Sequence, residues 1–181
     1  RSPERPNKNF SSSQWPLNGL QPTDASVERS FSAKTLPEIL RSAGYRTIHA
    51  GKAHFGAQNT PGSDPGNLGF DINIAGCHIG GPGSYHGDKN FSAKWRNGDA
   101  IWDVPGLEKY HGRKINLTEA ITRESIAAVE QSVADKKPFY LYLAHYAVHA
   151  PFEPDRRFLP NYQKEKWKAH QKTYASMLES M

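Results

Sequence analysis

At 181 residues the chain is long enough for one domain with a real core, but 36% hydrophobic content and a mean hydropathy of -0.74 are lean for a self-contained α/β unit and point to part of a larger body. Lys and Arg outnumber Asp and Glu by 23 to 18, and the net charge of +5 favours anionic partners; nucleic acid, a sulfated sugar and plain solubility all fit it. A single cysteine, Cys77, excludes an internal disulfide framework and a cysteine-built zinc site, and no run reaches the ~18 apolar residues of a membrane span or the apolar core of a signal peptide.

Residues 1–34 read as an irregular surface segment, because Ser, Asn and Pro dominate and no apolar period emerges. Residues 35–52 read as a helix and a strand. Thr35 and Glu38 form a capping-box pair, Pro37 sits in the first turn, Leu36, Ile39, Leu40 and Ala43 give an apolar face, and Gly44 closes the helix. Tyr45 to Ala50 is then the strand, and the chain turns at Gly51 to present Lys52 and His54. Ligands of open α/β sheets bind at the carboxyl ends of strands, so these polar side chains stand where chemistry is done.

Residues 53–117 read as a long loop region, since the Gly and Pro of Gly80-Gly81-Pro82-Gly83 interrupt both helical and strand ladders. Such a loop is expected to be exposed or to line a cleft, with His78, Tyr85, His86, Trp95 and Trp102 either binding a sugar or packing the loop down. The glycine run lacks the Lys-Ser or Lys-Thr ending of a phosphate-cradling loop and the spacing of a dinucleotide fingerprint. Residues 118–149 return to helix and strand. Ala120, Ile121, Ile126, Ala127, Ala128, Val129 and Val133 predict a broad apolar helix face, and Phe139 to Ala144 reads as a strand buried on both sides. His145 and His149 come directly off its end, and residues 150–181 form a Pro-rich connection and a helix from about Tyr162 with a Trp167, Tyr174, Leu178, Met181 stripe.

Gly44-Tyr45-x-Thr47-x-x-x-Gly51-Lys52-x-His54 resembles the second signature of the sulfatases, and Pro138 to Pro151, ending in His149-Ala150-Pro151, is similar to the family's strand and His-x-Pro turn. Two separated matches in the right order extend the likeness over roughly residues 30–181. The resemblance implies an alkaline phosphatase-like α/β sandwich, present only in part, whose mainly parallel sheet is flanked by helices. It also implies that residues 1–181 are an internal part of a single catalytic domain, with Arg1-Ser2-Pro3-Glu4-Arg5 continuing a family Thr-Gly-Arg segment.

Carried over by motif, Lys52 would contact sulfate and nucleophile, His54 would assist the nucleophile, and His149 would protonate or orient the leaving oxygen. Lys52 and His149 are also the expected substrate contacts, joined by His145 from its place at the strand end and by Tyr85 and His86 from the loop reading. The family's formylglycine and its calcium or magnesium are implied too, but with their residues outside this chain. No Cys-x-Pro-x-Arg or Ser-x-Pro-x-Arg occurs, and the paired acidic metal ligands find no counterpart. The expected activity is hydrolysis of a sulfate ester, most simply of a carbohydrate, by a periplasmic, extracellular or lysosomal enzyme that engages neither nucleic acid nor membrane. Phosphodiesterases and phosphonate hydrolases of the same superfamily, and a non-catalytic anion- or carbohydrate-binding protein, are the alternatives.

Overall fold

A computed structural model describes residues 34–181 other than Ala57 and Thr60. The irregular segment expected over 1–34 lies almost wholly outside the described residues. Three parallel strands form the sheet: β1 (Arg46–Gly51) in the centre, β2 (Ile72–Ile74) on one side and β3 (Phe139–Ala144) on the other. The short β2 lies inside the stretch read as loop, where three residues are too few to set a period.

The helix before β1, α1 (Leu36–Ser42), begins as its sequence dictates. Thr35 Oγ1 accepts from the Glu38 amide at 3.3 Å, and Glu38 Oε2 accepts from the Thr35 amide at 2.7 Å, the reciprocal bonds of a capping box. Gly44, at φ +90°, supplies the left-handed turn into β1. Inside β1, Thr47 is fully buried: its hydroxyl donates to the Gly69 carbonyl at 2.7 Å, and its amide donates to Asp71 Oδ2 at 3.0 Å. The signature threonine thus fixes the entry to β2.

The second long helix, α2 (Leu117–Ala134), packs across β1, β2 and β3. Its buried face differs from the one expected. Ala120 and Ile121 are buried as predicted, but Ile126 and Val133 are more than half exposed, while Thr118, Ser125 and Ser132 face inward. Ser125 and Ser132 return their hydroxyls to the carbonyls of Ile121 and Ala128, which satisfies a buried donor and lets the helix approach the sheet closely. Leu36 and Ile39 of α1 are likewise exposed.

β3 departs most from expectation. It is an edge strand, with Phe139, Tyr142 and Leu143 all exposed, because nothing among the described residues pairs with its outer side. A run read as buried on both faces therefore has only one covered edge. The last helix, α3 (Ala169–Glu179), starts later than the predicted Tyr162, which instead closes a short 3-10 turn at Leu159–Tyr162. The Trp167, Tyr174, Leu178, Met181 stripe is exposed, and Ser176 and Met177 face the core instead.

The core joins Ile48 and Ala50 of β1, Leu117 and Ile121 of α2, and loop residues Ile79, Tyr85 and Phe91. The glycine-rich stretch is thus an interior element: Gly81 to Gly87 are all buried, contrary to the exposed loop or cleft lining expected of them. Tyr85 of that stretch joins Ile48 of β1 and Ile121 of α2 in one buried cluster.

Candidate active site

Register brings the candidate residues together. Gly51 of β1 stands opposite Ala144 of β3, so Lys52 and His145 are the first residues beyond two adjacent parallel strands, and the Lys52 amide donates to the Ala144 carbonyl at 2.6 Å. Strands so paired lie about 4.8 Å apart. Gly51 has to be glycine here, because its φ is +100° and a Cβ would overlap the Ala144 carbonyl oxygen. The glycine of the Gly-Lys-x-His signature is therefore a close-approach residue, and the lysine after it is carried to the sheet edge.

His54 follows in a left-handed conformation at φ +54°, its amide donating to the Cys77 carbonyl at 3.0 Å on the chain leaving β2. That chain then passes through Gly80 and Gly81. A Cβ on Gly80 would lie 2.9 Å from His54 Cε1, and one on Gly81 would overlap His149 Nδ1. The two glycines thus make room for the two histidine rings, which gives the Gly80-Gly81 pair a function that its failure to match any phosphate loop had hidden.

His149 is close enough to act on the His54 ring. The His54 imidazole is held below its ordinary range first by burial, then by the nearby charges of Lys52, His149 and His78. It is consequently neutral near pH 7 and can accept a proton. Lys52 is half-buried, and its charge reaches the same ring. Lys52, His54 and His149 therefore share one side of the sheet, at the carboxyl ends of β1 and β3, as the strand-end argument requires.

His149 is exposed, but its ring is oriented. Nδ1 lies 2.8 Å from the Ala150 carbonyl oxygen, which can only accept, so Nδ1 carries the proton and Nε2 is the ring nitrogen left to meet a ligand. His145 sits at the start of the same turn, with Nδ1 buried and unpartnered and its ring held below the ordinary range by burial.

Tyr85 and His86 stand elsewhere than a substrate-contacting role requires. Tyr85 is 1% exposed, and its hydroxyl donates to the carbonyls of Tyr146 and His149, each at 2.8 Å. His86 is 6% exposed and faces Glu153, with Nε2 3.9 Å from Oε1. Despite that carboxylate, burial keeps the His86 ring below its usual range. Both residues belong to the wall behind His149, because a ring inside the core has no surface to offer a sugar.

Glu153 was not singled out from the sequence, yet it organises that wall. It is 5% exposed and accepts from Ser84 Oγ at 2.6 Å, the Tyr85 amide at 2.8 Å and Lys89 Nζ at 2.6 Å. Burial works to raise the Glu153 carboxyl, but these donors outweigh it and leave the group ionised below its ordinary range. Two residues after a His-x-Pro turn, a glutamate looks like part of a solvated connection, and only the three-dimensional path of residues 84–89 reveals its partners.

No group of His, Cys, Asp and Glu among the described residues forms a cluster fit to hold a metal ion. The apolar groove of about 450 Å³ lined by Phe152, Trp167, His170, Gln171, Tyr174, Ala175 and Leu178 contains none of Lys52, His54 or His149.

The sulfatase family model matches residues 4–181. The chain belongs to the sulfatase family. Among curated relatives, mouse (Mus musculus) N-acetylgalactosamine-6-sulfatase is 29% identical over 157 residues, covering 78% of this chain and 29% of the relative. The dog (Canis lupus familiaris) N-acetylgalactosamine-6-sulfatase is 30% identical over 136 residues, covering 73% of this chain and 25% of the relative. A solved structure of Ps i-CgsB in complex with k-i-k-neocarrahexaose is 26% identical with a TM-score of 0.64, covering 93% of this chain and 38% of that one. The chain thus spans well under half the length of these relatives.

Proposed function

We propose that the intact protein is a sulfatase that hydrolyses sulfate esters of a carbohydrate. The observation that carries the reading is the meeting of Lys52, His54 and His149 at the carboxyl ends of two register-matched strands. A sulfate ester asks a site to stabilise charge on the sulfuryl oxygens and to protonate a poor leaving alkoxide. Lys52 supplies positive charge for the sulfuryl oxygens. His54, neutral near pH 7, takes a proton from the attacking group. His149 takes part as the imidazolium: its Nδ1–H is held by the Ala150 carbonyl, and its Nε2–H passes a proton to the ester oxygen as the bond to sulfur breaks, so that the alcohol leaves neutral and the ring is left as the Nδ1–H tautomer.

The carbohydrate part is supported by the saccharide bound to the solved relative, by the curated relatives named N-acetylgalactosamine-6-sulfatase, and by the chain's net charge of +5, which draws anions. Formylglycine, calcium or magnesium, and a periplasmic, extracellular or lysosomal location belong to the same proposal through the family; neither cofactor has residues assigned to it in this chain.

The test compares kcat/KM of the intact enzyme on a sugar sulfate and on 4-nitrophenyl sulfate, whose leaving group needs no proton. Lys52→Ala should lower both by roughly 10²- to 10³-fold, the usual loss of one transition-state donor. His149→Ala should injure the sugar sulfate much more than the activated ester, and taking the ratio removes any loss of folded enzyme. Equal losses on both substrates in His149→Ala would refute the leaving-group role.

A further inference from the structure

We propose that Tyr85, braced by Glu153, is a positioning residue for His149: it fixes the backbone from which the imidazole meets the leaving group. The inference rests on the sulfatase reading above and names a residue for it.

The turn that carries His149 is closed by the His149 amide donating to the Tyr146 carbonyl at 2.9 Å. Tyr85 brings its hydroxyl to both ends of that turn, 2.8 Å from the Tyr146 carbonyl and 2.8 Å from the His149 carbonyl. A phenol has one proton to donate, so the two carbonyls share it and are drawn to a single point. Burial raises the Tyr85 hydroxyl above its ordinary range, which keeps that proton in place.

Glu153 holds Tyr85 from the other side. Its carboxylate, only four residues beyond His149 in sequence, accepts from the Tyr85 amide, Ser84 Oγ and Lys89 Nζ. The segment from Tyr146 to Glu153 is therefore fastened to residues 84–89 at both ends. Residues 84–89 are themselves anchored to the start of α2: the Leu117 amide donates to the Tyr85 carbonyl at 2.9 Å, and the Gly87 amide donates to the Ile115 carbonyl at 2.9 Å. A group that transfers a proton must be held within about 0.5 Å of its productive place, and supporting hydrogen bonds of this kind supply that hold.

A buried tyrosine hydroxyl needs an acceptor whatever its role, so the two readings are separated by function rather than by the bond itself. The alternative of a purely structural tyrosine differs in what it predicts. Loss of a structural bond lowers the amount of active enzyme and so lowers turnover of every substrate alike. Loss of a positioning bond falls on the step that needs the His149 proton.

The experiment uses the intact enzyme with Tyr85→Phe, which removes only the hydroxyl, measured on a sugar sulfate and on 4-nitrophenyl sulfate. The expected result is a roughly tenfold fall in kcat/KM for the sugar sulfate, the size of one net hydrogen bond expressed in the transition state, with at most a threefold fall for the activated ester. In a His149→Ala background the same substitution should add nothing, because the group it positions is gone. Glu153→Gln, which withdraws the charge from Lys89 but keeps a side-chain acceptor, should show the same skew and decides the matter if Tyr85→Phe does not fold. Equal losses on both substrates, or full additivity with His149→Ala, would overturn the positioning role while leaving the sulfatase reading intact. A parent enzyme inactive on both esters would overturn that reading, and the positioning role with it.

Discussion

Acidification should destabilise this fold through one buried histidine. His49 is 0% exposed in the middle of β1, its ring 5.3 to 5.6 Å from those of Phe55, Phe70 and Tyr142. Burial lowers its pKa to about 4, against the opposing pull of the Lys52 backbone and the Asn73 side chain. In the unfolded chain the same imidazole titrates near its ordinary value of about 6.5. Between these values the unfolded state binds a proton that the folded state refuses, so stability is full above the unfolded value and falls as pH drops toward 4. Integrating over that window gives a loss of about 2 kcal/mol between pH 7 and pH 4.5. The assay is chemical denaturation of the protein and of His49→Phe at both pH values, with His49→Leu as the substitute if the larger ring does not fit. Carboxylates such as Glu153 and Asp88 titrate in parent and variant alike and cancel in the difference. The parent should lose about 2 kcal/mol more than the variant on acidification, and identical pH dependence in the two would refute the account of His49.

Three further outcomes are expected. Gly51→Ala should cost more than ~3 kcal/mol in denaturation, since a Cβ at φ +100° would overlap the Ala144 carbonyl where β1 and β3 meet; a stable variant with an unchanged midpoint would contradict the close approach. Gly81→Ala places a methyl group on the His149 ring and should lower kcat/KM for a sugar sulfate by about tenfold or more, whereas Gly112→Ala, which meets no neighbour and is strained only by its own φ of +74°, should cost some stability but leave the activity of the folded enzyme near that of the parent. Lys52→Ala should weaken binding of inorganic sulfate measured by calorimetry, and rising ionic strength should weaken the parent in the same direction; unchanged sulfate affinity would remove Lys52 from the anion site.

The parts of this fold that could be read from the sequence are those that local backbone chemistry decides. The capping box at Thr35 and Glu38, the left-handed Gly44 and the strand after it follow from residues within a few positions of each other. So does the placing of Lys52 and His145 just past two strands. The sequence misleads where the outcome depends on what lies across the gap. α1 and α2 expose Leu36, Ile39, Ile126 and Val133, although each belongs to an apolar period, and α2 turns serines inward because a close approach to the sheet is worth more there than extra methyl groups. β3 has the composition of a central strand and the position of an edge strand among the described residues, a difference no pattern within Phe139–Ala144 can express. Tyr85 and His86 look like sugar ligands because aromatic and imidazole side chains in a glycine-rich loop usually face outward. Here the glycines let the loop fold inward, so that its bulky side chains become core.

That inversion bears on how the site is built. Lys52 and His54 stand on one short stretch and His149 on another, and both would be mobile if they were ordinary loops. Each is fixed by backbone instead. Lys52 is tied to Ala144 across the strand ends, His54 to Cys77 on the chain leaving β2, and His149 to Tyr146 within its own turn. The glycines at 51, 80 and 81 are what allow main chain and rings to come this close, and a side chain at any of them would meet the carbonyl or imidazole it now adjoins. Because the approach is set by absent side chains, the spacing of the polar residues alone does not reveal it. The signature residues Gly51, Lys52 and His54 are therefore better understood as one backbone device than as a list of functional groups, and a substitution that preserves the charge at Lys52 but alters Gly51 should injure the site as surely as the loss of the lysine.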